Sequence, residues 1–189
     1  MMRDLSTPDA VLNAMAASGG GAYFGEPVTV LEHSLQSAWF VQRQRIDTAI
    51  AGPALIAAAL LHDLGHLLHN NGEDAANRGL DTRHEELAAE LLAGHLPDEV
   101  LEPIRLHVAA KRYLCQVNPR YFASLSPASV QSLSLQGGPM AEAEAQAFLV
   151  LPHARAAIAL RHADDAAKVR GLAVPLLESY RPLLVSLWC

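Results

Sequence analysis

The stretch Ala59-Leu60-Leu61-His62-Asp63-Leu64-Gly65-His66 decides the fold, because it sets a His-Asp pair at the end of an apolar helical run. A carboxylate placed in a core must be paired or bound to a metal. Three further histidines and one aspartate, His33, His84, His107 and Asp164, stand at spacings that could bring them to the same point. Four imidazoles and two carboxylates are enough for two metal ions.

Around that stretch the composition is that of a helical protein. Hydrophobic residues make up 51% of the 189 and charged residues 18%, which disfavours disorder and allows one domain over 1–189 with a sizeable core. Ala and Leu dominate while β-branched and aromatic residues are sparse, which favours helix over sheet. The formal net charge of -6, with no basic stripe, argues against a nucleic-acid partner. Cys115 and Cys189 form no disulfide framework and fit a reducing cytoplasm. Met1–Ser6 has no signal-peptide core, and the apolar run 49–61 is too short to span a bilayer, so no membrane partner is expected. No obligate protein partner is evident.

Periodicity and punctuation predict helices at 8–18, from a Thr29 cap to about Arg45, from Pro53 into His62, from a Thr82-to-Glu85 capping box to near Gly94, and from Pro97-Asp98 through His107 and Lys111. Pro103 either kinks this last helix or marks its true start. A further short helix opens at Ser126-Pro127 and ends at Gly137-Gly138-Pro139, and two more cover 141–149 and 153–168. Residues 69–80 read as a polar surface loop and 118–127 as a loop anchored by Tyr121. Pro175 and Pro182 are expected to break up the C-terminal tail. The expected fold class is all-α, an irregular helical bundle around a dinuclear metal site.

His33, His62, Asp63, His84, His107 and Asp164 come from separate segments, as ligands in helical bundles commonly do. Imidazole and carboxylate together suit Fe, Mn or Zn, and the lack of thiolates argues against a structural zinc site. Asp63, with two oxygens beside His62, is the natural bridge. His69, His95, His153 and His162 read as ordinary core or surface histidines.

The order His33, His62-Asp63, Asp164 resembles the HD superfamily, and the intervening His84 and His107 resemble its dinuclear members, which include hydrolases and oxygenases similar to myo-inositol oxygenase. Tyr23-Phe24-Gly25-Glu26, Leu31-Glu32-His33-Ser34-Leu35-Gln36, His107-Val108-Ala109-Ala110-Lys111-Arg112-Tyr113-Leu114 and Leu135-Gln136-Gly137-Gly138 resemble the PhnZ-type HD-domain phosphonate oxygenases, over roughly 22–175. The resemblance implies a mixed-valent Fe(II)/Fe(III) pair with O2 as co-substrate. One iron would be held by His33, His62, Asp63 and Asp164, the other by Asp63, His84 and His107. Asp165 is the rival to Asp164, which stands four residues before Lys168 as the family pattern asks.

The implied reaction is cleavage of the C–P bond of a 1-hydroxy-2-(amino or trimethylammonio)ethylphosphonate, giving phosphate and glycine or glycine betaine. An HD phosphohydrolase acting on a phosphate ester or nucleotide, or a ligand-binding HD module without activity, are the competing readings. Lys111, one turn past His107, and Arg161, three before Asp164, can point at whatever the metals bind, as phosphonate clamps. His66, Ser129 and Ser132 are further candidates for contact with substrate. By the same resemblance, Tyr23 and Glu26 form a lid, with the Tyr guarding an open metal position and the Glu meeting the substrate's cationic nitrogen.

Overall fold

The computed structural model describes residues 5–43, 52–68 and 78–189. Eleven α-helices are found among them: α1 (Pro8–Ser18), α2 (Val30–Arg43), α3 (Pro53–Leu61), α4 (Leu64–Leu68), α5 (His84–Leu92), α6 (Asp98–Val117), α7 (Pro119–Ser124), α8 (Pro127–Leu135), α9 (Glu142–Leu149), α10 (Ala154–Ala166) and α11 (Arg181–Leu187). A 3-10 turn at Leu177–Tyr180 leads into α11. No strand occurs among the described residues, only isolated bridges at Ala22–Thr29 and Ala93–Leu96. The expected all-α architecture is the one observed.

The centre of the bundle is built from α2, α3, α6 and α10, which pack on one another. Helix α3 is apolar all round, and Ala57, Ala58, Ala59, Leu60 and Leu61 are all fully buried, as an interior helix requires. Its three consecutive alanines keep side-chain bulk low along that stretch. Helix α2 is started by a capping box: Glu32 N–H donates to Thr29 Oγ1 at 3.1 Å, and Thr29 N–H donates to Glu32 Oε2 at 2.7 Å. That fixes the register of His33, one residue further on.

Several local expectations are corrected. The Thr82-to-Glu85 capping box does not form. Arg83 adopts a left-handed conformation (φ 45°) and becomes the residue before α5, so Thr82 falls outside the capping position. Asp81 Oδ1 instead accepts from Arg83 N–H at 3.2 Å. Residues 118–127 are not all loop: the Asn118 side chain accepts from the N–H groups of Arg120 and Tyr121 and starts α7. Pro182 does not break the tail. It sits in the first turn of α11, where its missing N–H costs nothing. Pro103 lies inside α6, which begins at Asp98, so it does not mark the start of that helix. Residues 44–45 of the expected second helix, and 69–77 of the expected polar loop, lie outside the described residues. No helix among the described residues is long and apolar enough to cross a membrane.

Candidate metal centre

Each candidate ligand owes its position to a helix end or a buried helix face. His62 follows the last residue of α3, where the final carbonyls lack helical partners, and its Nδ1 lies 2.9 Å from Ala59 O. Asp63 and His66 follow through the tight link into α4. His84 is the first residue of α5, His107 lies on the buried face of α6, and Asp164 lies near the end of α10.

His33, His62, Asp63, His84, His107 and Asp164 meet in one place, all less than a tenth exposed. His33 Nε2 lies 3.3 Å from His62 Nε2, 3.5 Å from Asp63 Oδ2 and 3.4 Å from Asp164 Oδ1. On the other side of Asp63, its Oδ1 is 3.4 Å from His84 Nε2 and 3.9 Å from His107 Nε2, and those two nitrogens are 3.1 Å apart. Asp63 thus faces both histidine pairs. The groupings His33/His62/Asp164 and His62/Asp63/His107 each bring one donor atom per residue within 4.8 Å of the others.

The donor set fits metal ions. His33, His62 and His107 each turn Nδ1 to a backbone carbonyl, of Ala167 (2.9 Å), Ala59 (2.9 Å) and Ile104 (2.7 Å). A ring that donates from Nδ1 presents the Nε2 lone pair inward, the arrangement typical of metal-bound histidine. Asp63 Oδ2 and Asp164 Oδ1 are buried without any hydrogen bond. Inward lone pairs and orphaned carboxylate oxygens together ask for cations.

The electrostatics agree. Burial opposes charge on Asp63, yet the imidazoles of His62, His66, His84 and His33 overcome it and hold the carboxyl well below its usual range. Burial likewise opposes charge on Asp164, and Arg161 is the strongest of the groups that hold it well below that range. Burial, reinforced by His62, pushes His107 down to about 3, and burial with His66 pushes His84 well below its usual value. Both imidazoles are therefore neutral near pH 7, the form that ligates a metal.

A cavity of about 650 Å³ opens onto Asp63, His84, His107 and Asp164. Lys111, Lys168 and Arg161 also line it, set against the acids Glu26, Asp63, Asp81 and Asp164, so the side chains alone leave the chamber without an excess of positive charge. Lys111 is 2% exposed and donates to Ser132 Oγ at 2.9 Å, while Lys168 donates to Ser129 Oγ at 3.0 Å. Burial, with Arg161 and Lys168 nearby, lowers Lys111 to about 7. His66 stacks on His84 with ring centroids 3.8 Å apart and is covered by Phe24.

Tyr23 is buried and stacks on His33 at 3.9 Å. Burial, then Asp63 and Asp164, raise its phenol well above the usual value. Its turn is tight: Glu26 N–H donates to Tyr23 O at 2.7 Å, with Phe24 (φ 44°) and Gly25 (φ 80°) both left-handed. Glu26 faces Lys168 at 3.4 Å.

Two roles look different from the sequence reading. Arg161 is engaged on several sides: it lies 2.7 Å from Asp164 Oδ2, pairs with Asp165, and donates from Nε to Tyr121 Oη at 3.0 Å. Tyr121 Oη in turn donates to Asp165 Oδ2 at 2.6 Å. Arg161 and its neighbours hold Asp164, and its guanidinium is not a free clamp. Asp165 belongs to this support and not to the histidine cluster. Lys168 and Tyr121 are the residues that sequence reasoning left without a role. Their signals were faint: Lys168 stands one helical turn past Asp164 but beyond the last residue of α10, and Tyr121 was legible only as the aromatic anchor of the 118–127 segment. His95 stacks on Trp188, and His153 and His162 belong to none of the clusters able to hold a metal. His69 lies outside the described residues.

A family model described as HD domain matches residues 30–167. The hydroxymethylphosphonate dioxygenase of Gimesia maris (strain ATCC 29201 / DSM 8797 / 534-30) is 47% identical over 163 residues, covering 85% of this chain and 78% of that protein. The [1-hydroxy-2-(trimethylamino)ethyl]phosphonate dioxygenase (glycine-betaine-forming) of Leisingera caerulea is 40% identical over 166 residues, 88% of this chain and 82% of its own. An uncharacterized protein of Acanthamoeba polyphaga mimivirus is 31% identical over 187 residues, 98% of this chain and 83% of its own.

Proposed function

The chain belongs to the HD domain family, with named phosphonate dioxygenases among its relatives, and we propose that it uses O2 to cleave the C–P bond of a 1-hydroxyalkylphosphonate. The carrying observation is the six-residue donor cluster at the wall of a lysine-lined cavity. The donors suit a pair of iron ions, one between His33, His62, Asp63 and Asp164, the other between Asp63, His84 and His107. When bound, the pair supplies the redox chemistry with O2.

The protein's own part is charge, orientation and exclusion of water. Lys111 and Lys168 meet the phosphonate oxygens, and the hydroxyls of Ser132 and Ser129, now held by those lysines, add hydrogen bonds to the same group. Arg161 keeps Asp164 aimed and ionised. His66, held between His84 and Phe24, reaches the substrate's 1-hydroxyl with a ring nitrogen. The Tyr23–Glu26 turn closes the chamber against His33, so Tyr23 must give way as substrate enters. The balance is one O2 per substrate: the carbon leaves as a carboxylic acid, the phosphorus as phosphate, and no outside reductant is consumed.

Glu26 supports a substrate that carries a cationic nitrogen, 1-hydroxy-2-(amino or trimethylammonio)ethylphosphonate, giving glycine or glycine betaine. Its buried Oε1 accepts no hydrogen bond but lies 3.4 Å from Lys168 Nζ, so a substrate cation would share the carboxylate with that lysine or take its place. Hydroxymethylphosphonate is the comparison compound that lacks the cation. We also assign the whole of 1–189 to one domain working in the cytoplasm. The test is phosphate release from iron-loaded protein with each of the three compounds, with and without O2. Phosphate that forms only with O2 supports the reading; equal phosphate without O2 refutes it in favour of hydrolysis.

A further inference from the structure

We propose that Glu85 is a positioning residue for the His84/His107 half of the metal centre, its buried carboxylate standing against the His84 Nδ1 as the acceptor that fixes the ring once the other nitrogen is on a metal. The inference rests on the reading of the cluster as a site for two ions.

The need for it comes from helix geometry. His62 and His107 each find an acceptor for Nδ1 three residues earlier, at Ala59 O and Ile104 O, because a helical carbonyl stands there. His33 finds one across the bundle, at Ala167 O just past the end of α10. His84 is the first residue of α5 and follows the left-handed Arg83. Three residues before it there is no helical carbonyl. The group that faces its Nδ1 is the carboxylate of Glu85, with Oε2 at 3.3 Å. Glu85 is 8% exposed, and its Oε2 is buried with no hydrogen bond from any group, His84 included, so the 3.3 Å approach is a contact in which only the ring's angle is short of a bond. A buried carboxylate oxygen beside an unserved ring nitrogen is the carboxylate–histidine pairing that orients metal-bound imidazole and raises its basicity. The rival role is that of an acid placed at a helix N-terminus for the dipole alone. Glu86 is next to it on the same helix, but lies against Arg105 at 3.3 Å, and provides the matched control.

The experiment loads parent, Glu85→Ala, Glu85→Gln and Glu86→Ala protein with Fe(II) under anaerobic conditions. Iron per chain is then followed against rising chelator, alongside thermal melts. Glu85→Ala should shed one ion at a chelator concentration roughly 10–100-fold lower than the parent, the range for loss of such a partner. The other ion should stay. Glu85→Gln keeps an acceptor oxygen and should fall between, and Glu86→Ala should match the parent. Glu85→Ala that holds both ions as tightly as the parent, with only a lower melting temperature, makes Glu85 a helix-end residue and overturns the proposal. If Glu85→Ala does not fold, Glu85→Gln decides: shedding one ion more readily than Glu86→Ala supports the role, and equal retention overturns it. A parent that never holds a second ion overturns the two-ion reading itself.

Discussion

Gly65→Ala is the smallest change that should disable the centre without touching a ligand. Gly65 lies buried in α4, and a Cβ on it would stand 2.1 Å from His84 O, 2.8 Å from His84 C and 2.9 Å from His84 Cα. Ordinary contact begins near 3.4 Å, so the two segments must part by about 1.3 Å, the difference between 3.4 and 2.1. The obstacle is backbone, which cannot swing aside like the tip of a side chain. His84 would move with its carbonyl, while metal–ligand distances tolerate only about 0.2 Å. Overpacking of this kind costs roughly 1–3 kcal/mol, or about 2–4 °C of melting temperature per kcal/mol in a chain of this size. The assay is a thermal melt paired with iron per chain after chelator treatment. The expected result is a folded protein that keeps the ion of His33, His62 and Asp164 and loses the one of His84 and His107. Gly65→Ala protein with both ions at parent affinity and an unshifted melt would refute the claim that this close approach sets His84.

Asp63→Ala should lose both ions, since Asp63 alone faces both histidine pairs, and iron per chain measures it. Lys111→Ala should keep its iron but bind phosphonate at least tenfold more weakly, read as a rise in KM. Because Lys111 is lowered to about 7, its positive charge is present below that pH and lost above it. Parent affinity relative to Lys111→Ala should therefore shrink as pH rises from 6 to 8. Tyr121→Phe removes the hydroxyl between Arg161 and Asp165, and should cost about 1 kcal/mol in a denaturant melt and loosen the Asp164-side ion under chelator.

The sequence made the helices and the six-residue cluster legible because both leave periodic or chemically costly traces. A His-Asp pair in an apolar run is expensive, and histidines recurring at helix starts and faces are easy to see. What escaped depends on single backbone torsions and on contacts between distant segments. Thr82, Glu85 and their spacing match a capping box, but one left-handed residue, Arg83, shifts the helix start and sends Glu85 to His84. Arg161 and Asp164 lie on one helix face, so a clamp pointing at the metals was the natural reading. It took Tyr121, forty residues earlier, to reveal that the guanidinium is occupied. Lys168 lies past its helix, where helical spacing no longer says which way a side chain points.

Gln36 bears on when the protein can acquire its metals. Its side-chain amide donates to Val169 O at 2.8 Å and accepts from Val169 N–H at 3.0 Å, as a neighbouring strand would. One turn before it, His33 is tied to Ala167 O, 134 residues away. The first candidate ligand in the chain and the last are thus joined by closures spanning most of the polypeptide. Such long closures form late, because loop entropy must be overcome before they give any return. A ribosome-bound chain that has not yet released residue 169 has His33, His62 and Asp63 but no means of completing their pocket. Completion of the pocket therefore waits on the segment around residue 169, and whatever metal the donors hold is enclosed only once that segment has closed on α2.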